Sequence, residues 1–170
     1  MAITYEPIVS TTLVSNQTDI TFGSISGSYT DIILVCHYAS QLNDYNFRIR
    51  FNGDTGNNYS KTDLIGSPDG ATSGRLSNYN SIFLTQRIGA GTSLSTPGDT
   101  IAHILNYANT TTYKNALVRA NAVRNDNAME TEASVGLWRN TAAITSITFG
   151  TSSGYFVTGT TATLYGILKA

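Results

Sequence analysis

Charge is what this chain has least of. Only 12% of its 170 residues are Asp, Glu, Lys or Arg, against a usual share of about a quarter. Ten basic and eleven acidic side chains leave a net charge of −1. Nucleic-acid binding calls for a dense field of Lys and Arg, and this composition supplies none. The one cysteine has no partner for an internal disulfide. Cys36 lies in an apolar run and reads as a small buried hydrophobe. The two histidines, His37 and His103, are too few for a zinc site, which takes three or four ligands. Both sit inside apolar strands and read as hydrogen-bonded core or interface residues. No apolar run approaches the length that crosses a bilayer as a helix. "MAITYEPIVS" has neither a basic n-region nor a long apolar stretch, so no secretory signal is expected. The expectation is a protein made and folded in a cytoplasm, with any exported role reached by a non-secretory route. The Asn-x-Ser/Thr triplets at Asn16, Asn58 and Asn109 then read as chance matches in a Ser/Thr-rich chain.

What is present is a succession of short apolar runs separated by Gly, Ser, Asn and Thr clusters, the punctuation of a strand-rich fold. "YNFRIRF" alternates, with Phe47, Ile49 and Phe51 on one side and Arg48 and Arg50 on the other; a helix would scatter those arginines. "DIILVCHYAS" is apolar on both faces, as in a central strand covered from two sides. "TDITF", "SIFLTQR" and "TIAHILNYA" supply further strands, with Ile101, His103, Leu105 and Tyr107 sharing a face in the last. The residues of "YKNALVRANAV" favour a helix by propensity. The polar turn "RNDNA" and the alternating "TEASVGLWR" that follow make a hairpin the better account. "AITSITF" and "TATLYGIL" close the chain as strands. With about eight to ten strands and little helix, the sequence predicts an all-β, single-domain antiparallel sandwich over residues 1–170. A jelly roll is the first expectation and an immunoglobulin-like sandwich the second. Residues 1–12 are expected to form an extended arm.

Among candidate sites, "RFNGDTGNNYS" (residues 50–60) is the most concentrated. A calcium loop of the EF-hand kind needs carboxylates at alternate positions, and here Asp54 is the only charge among Asn52, Asn57 and two glycines. Gly53 and Gly56 suit a tight turn, since glycine enters positive φ without a Cβ clash. The carboxylates Asp19, Asp31, Asp44, Glu130 and Glu132 are scattered among polar stretches with no expected convergence. No nucleophile-elbow motif supports a serine hydrolase. No catalytic residue, metal ligand or cofactor is therefore assigned, and a non-enzymatic protein is expected. The ten tyrosines combine a rigid apolar face with a hydroxyl, suited to interfaces and to sugar stacking. The candidate interface or ligand contacts are Arg48, Arg50, Asn52, Asp54, Asn57, Tyr59 and Tyr79. "SPDGATSGRLSNYN" (residues 67–80) is a second candidate recognition loop.

"SYTDIILV", "RFNGDTGNNYS", "NYANTT", "VGLWRNTAAITSITF" and the closing "TLYGI" together resemble a group of small virion structural proteins of tailed bacteriophages, including phages of cyanobacteria. The similarity runs from about residue 28 to residue 167. It implies a β-sandwich on the particle surface, assembled as a homotrimer, with the major capsid protein or other virion proteins as partners and no membrane or nucleic acid. It carries over no ligand residues. Two roles follow as expectations: a capsid decoration (cement) protein, or a receptor-binding module of a tail or head fibre that recognises a host surface glycan.

Overall fold

A computed structural model describes residues 4–41, 47–84, 92–123 and 128–168. Twelve strands follow one another: β1 (Tyr5–Thr12), β2 (Asp19–Phe22), β3 (Asp31–Tyr38), β4 (Phe47–Phe51), β5 (Tyr59–Ser67), β6 (Gly70–Tyr79), β7 (Ile82–Phe83), β8 (Gly98–Leu105), β9 (Lys114–Val123), β10 (Met129–Trp138), β11 (Ile147–Thr151) and β12 (Thr161–Ile167). No helix occurs among the described residues. The strands form an eight-stranded sheet, in the order β1-β12-β3-β8-β9-β10-β5-β6, and a four-stranded sheet, β2-β11-β4-β7. Every neighbouring pair is antiparallel.

This order defines the fold. β1-β12-β3-β8 facing β2-β11-β4-β7 is the winding of a jelly roll, two four-stranded sheets built from nested antiparallel pairs. The immunoglobulin-like order is not what these strands make. Two hairpins, β5–β6 and β9–β10, are inserted between jelly-roll strands and both join the β8 edge of one sheet. That sheet doubles in width while the other keeps four strands.

The two-residue period decides what is buried. On β3, Ile32, Leu34, Cys36 and Tyr38 are buried while Ile33, Val35 and His37 are half-exposed; Phe47, Ile49 and Phe51 fill the inner side of β4. Between the sheets, Tyr38, Phe47, Phe149 and Phe156 form an aromatic cluster with ring centroids 4.4–6.1 Å apart. Each such pair adds about 0.5–1.5 kcal/mol beyond its buried area. A second group, Phe51, Tyr59 and Trp138, continues the core toward the inserted hairpins.

Several expectations change here. Tyr5–Thr12, expected as an arm, is edge strand β1, hydrogen-bonded to β12 with a bulge between Pro7 and Val9; residues 1–3 lie outside the described residues. "SPDGATSGRLSNYN", expected as a loop, is mostly strand β6, joined to β5 by a turn at Pro68 and Asp69. The "YKNALVRANAV" segment is β9, as the hairpin reading expects and against its helix propensity, paired with β10 from Val123↔Met129 to Lys114↔Trp138; residues 124–127 of the "RNDNA" turn lie outside the described residues, as do 85–87 of "SIFLTQR" and 45–46 of "YNFRIRF". Tyr107 does not share the face of Ile101 and His103. β8 ends at Leu105, Asn106 takes a positive φ of 48°, and Tyr107 turns into the core.

Gly136 on β10 is where the short strand β7 meets the wide sheet. A Cβ built there would lie 2.5 Å from Ile82 Cδ1, and Ile82 is fully buried. Gly136→Ala is therefore expected to cost about 1–3 kcal/mol by overpacking, read as a lower thermal midpoint; an unchanged midpoint would show that Ile82 is not wedged there.

Candidate interaction surfaces

The "RFNGDTGNNYS" loop is a structural corner. Phe51 C=O accepts from Asp54 N at 2.9 Å around Asn52 and Gly53, which both have positive φ (51° and 65°). That is the pattern an Asn-Gly type I′ turn requires. Gly56, expected to share this role, is not among the positive-φ residues. The turn carries the chain from β4 in the small sheet to β5 in the large one. Asn52 fixes it by donating Nδ2 to Ala143 C=O (2.8 Å) and accepting at Oδ1 from Thr145 N (2.8 Å) and Ser146 N (3.1 Å). The Asp54 carboxylate accepts from Trp138 Nε1 (2.7 Å), Asn58 Nδ2 (2.9 Å) and Gly56 N (2.8 Å). Burial pushes this carboxyl up, but the donors from Trp138, Asn58 and Gly56 outweigh it and hold the group below its ordinary value. With three donors and no second carboxylate in its contacts, the corner has the chemistry of a tie between sheets.

The other predicted contacts disperse. Tyr59 is fully buried; its hydroxyl accepts from Phe51 N at 3.1 Å, and burial pushes it up to about 12. Asn57 is exposed and its backbone carbonyl accepts from Arg139 Nη2 at 2.7 Å. Tyr79, 40% exposed, stands on β6 with its ring edge-on to Phe83. Arg48 and Arg50 lie on the outer face of the small sheet. Arg48 pairs with Asp19 at 3.1 Å, and Arg50 Nε donates to Asn80 C=O at 3.0 Å. Asp19 and Arg48 sit on the two strands flanking β11, both opposite Gly150. A Cβ on Gly150 would lie 2.0 Å from Asp19 Oδ1, so glycine lets the ion pair cross the middle strand. Beside it, Thr18, Ser152, Ser153 and the half-exposed Tyr155 line a polar hollow of about 360 Å³.

Sequence reading missed two features. The first is a buried charge cluster on the inner face of β5 and β10. Lys61 Nζ lies 2.9 Å from Asp63 Oδ2 and 2.8 Å from Glu132 Oε1, all three at least 95% buried. Glu130 and Glu132, expected in polar turns, are buried on β10. Period two was the signal: "YSKTDLI" puts Lys61 and Asp63 on the face of Tyr59 and Ile65. Asp19 and Asp31 lie elsewhere, Asp19 in an ion pair with Arg48 and Asp31 Oδ2 beside His103 Nε2 at 3.1 Å, and Asp44 lies outside the described residues.

The second is the outer face of the eight-stranded sheet. An antiparallel sheet with one wet face shows polar side chains there. Here one cross-strand row runs Tyr165–Ile33–His103–Leu117–Val135–Thr62 and the next Thr163–Val35–Ile101–Arg119–Ala133–Leu64. Leu64, Leu117, Val135 and Met129 are 65%, 46%, 49% and 66% exposed. Both histidines lie on this half-exposed face, not in the core: His37 Nδ1 is 2.7 Å from Asp99 Oδ1, and His103 Nε2 is 3.1 Å from Asp31 Oδ2. β3 is thus covered on one side only, and its second apolar face is open.

The architecture places the chain among jelly-roll sandwiches. No protein-family model matches it and no curated protein matches its sequence. Among solved structures it is similar to the Caenorhabditis elegans galectin LEC-6, with 12% identity and a TM-score of 0.39 over 91% of this chain and 94% of that one. It is also similar to the PL-14 alginate lyase of Aplysia kurodai, with 11% identity and a TM-score of 0.31 over 86% of this chain and 72% of that one. At these scores neither likeness transfers a ligand or a reaction.

Three substitutions test the ties. Asp54→Ala strands the Trp138 indole N–H and is expected to cost about 1–3 kcal/mol in denaturant unfolding. Because the folded carboxyl is held low, its contribution is complete above about pH 3.9 and is lost as pH falls through the folded value. Asp54→Asn should therefore flatten the acid limb of the stability curve; an unaltered limb would count against the tie. Lys61→Met leaves Asp63 and Glu132 without their ammonium and is expected to cost about 3–5 kcal/mol, checked by urea titration.

Proposed function

We propose that this chain is a non-enzymatic bacteriophage virion structural protein, a capsid decoration (cement) protein that binds the assembled shell and stabilises it through subunit contacts. The observation that carries this reading is the group of aliphatic side chains on the outer face of the eight-stranded sheet, where Leu64, Leu117 and Val135 stand exposed beside the partly exposed Ile33, Val35 and Ile101, since exposed apolar side chains gathered on one face mark a protein contact. Sparse charge fits it, because every charge buried in a contact costs desolvation. Binding to the assembled shell and not to free subunits stabilises the shell by mass action. The resemblance to phage virion proteins points the same way, with synthesis in the host cytoplasm and the particle surface as destination. Clustered copies and the major capsid protein are the partners in this reading.

A second reading, a glycan-binding module of a tail or head fibre, is favoured by one observation: the hollow with Asp19, Arg48 and Tyr155. A carboxylate–guanidinium pair beside an exposed aromatic ring can hold sugar hydroxyls while the ring stacks on the sugar's apolar side.

A mass-spectrometric count on purified particles separates them. Hundreds of copies per particle are expected for the decoration protein; a few dozen or fewer would overturn it. Glycan-array binding lost in Arg48→Ala would favour the second reading.

A further inference from the structure

We infer that the outer face of the eight-stranded sheet is covered by the same face of a second copy of this chain, related by a two-fold axis. The inference rests on reading that face as a protein contact, and it names the partner.

Area is the first argument. With about 4.8 Å between strands and about 3.3 Å per residue, eight strands over about seven residues make a face of roughly 900 Å². A standard-size interface buries about 800 Å² on each partner. One sheet laid on another matches that figure, with the faces about 10 Å apart as in a sandwich core.

Relief is the second. Leu64 is 65% exposed and stands on this face. On one side of it is a hollow of about 500 Å³ lined by Ala71, Ser73, Thr131 and Ala133. On the other is one of about 300 Å³ lined by Thr62, Arg75, Ser77, Val135 and Leu137. A protruding apolar side chain beside shallow hollows wide enough to receive it, all on one patch, is a feature an isologous contact can use, because each copy gives and receives the same feature.

Charge is the third. Arg119 is exposed on β9, and Asp99 lies on the adjacent strand β8 one pleat away, opposite Asn121. A two-fold axis in the contact plane, running across the strands between the Arg119–Leu64 row and the Asp99–Asn121–Gly66 row, overlays the two faces in full. It sets Leu64 over the other copy's Gly66 at the edge of the first hollow, and Arg119 over Asn121, one strand from the other copy's Asp99 and within side-chain reach. Asp99, which already accepts at Oδ1 from His37, then also has a cation beside it, the Arg119 of the other copy. This pairing closes at two copies, where the family resemblance implies three.

The test is the solution mass of the purified full chain, by sedimentation equilibrium at micromolar to tens of micromolar concentration. A mass twice the chain's 18.2 kDa is expected, with Leu117→Asp and Val135→Asp each weakening pairing by about 30-fold or more. Both side chains are exposed in the single chain, and a far-ultraviolet spectrum equal to the parent's certifies each variant as folded; if one fails to fold, the other decides. A monomer at every concentration, a trimer, or a dimer indifferent to a folded variant overturns the inference. The measurement needs no virion, so a dimer found in solution stands even if particle copy counts refute decoration.

Discussion

Four strands cannot cover eight. The unequal width of the two sheets is the constraint from which the rest of this structure follows. The jelly-roll strands alone would make a balanced four-on-four sandwich, closed by the aromatic cluster around Tyr38 and Phe149. Inserting β5–β6 and β9–β10 on the same edge leaves the small sheet unable to reach the far half of the large one. Near the junction the reach is extended by Ile82 pressed into the gap above Gly136 and by Trp138 and Tyr59 stacking toward Phe51. Farther out the inner face changes from hydrocarbon to the Lys61, Asp63 and Glu132 cluster. At the rim, β6 is exposed along nearly its whole length.

The corner between β4 and β5 is where these halves are joined. A chain that leaves one sheet and enters the other must turn sharply, and the turn exposes backbone groups next to large rings. Trp138 brings an indole N–H into that crowded place, and a buried indole N–H needs an acceptor. Asp54 supplies it while also accepting the loop's own Gly56 N–H. Tyr59 answers the Phe51 N–H from the other side. The residues that look most like a ligand site in the sequence are therefore consumed in holding the two sheets in register with one another.

Strand content was legible wherever one face was buried, because burial imposes the two-residue period seen in "YNFRIRF" and "TEASVGLWR". It was illegible at the rims. β1 carries Pro7 and is exposed on most positions, and β6 has small polar residues on both faces, so neither shows an apolar alternation. The polar ties were hidden for a different reason. Asp54 and Trp138 are 84 residues apart, and Lys61 and Glu132 are 71 apart, and nothing in either segment names its partner. The charged residues on the buried side of "YSKTDLI" were a readable anomaly; their partner across the sheet was not. The open apolar face was half legible: "DIILVCHY" shows two apolar sides, but the sequence does not say whether the second cover belongs to the same chain.

The sandwich has two outer faces of opposite character, and that asymmetry argues for a division of labour. The wide face presents Leu64, Leu117 and Val135, with its histidines already tied to Asp31 and Asp99. The narrow face, formed by the small sheet, presents Arg48 and Arg50 with Asp19 and the half-exposed Tyr155 close by. Hydrocarbon gains by leaving water and needs a complementary surface of similar extent. Guanidinium, carboxylate and hydroxyl groups in a shallow hollow keep their hydration unless a ligand replaces it group by group. Covering the wide face therefore leaves the narrow one free, and a paired assembly would show its polar side to whatever surrounds it. The two faces thus suit different partners: an apolar surface of similar extent for the wide sheet, and a polar ligand that replaces water group by group for the narrow one.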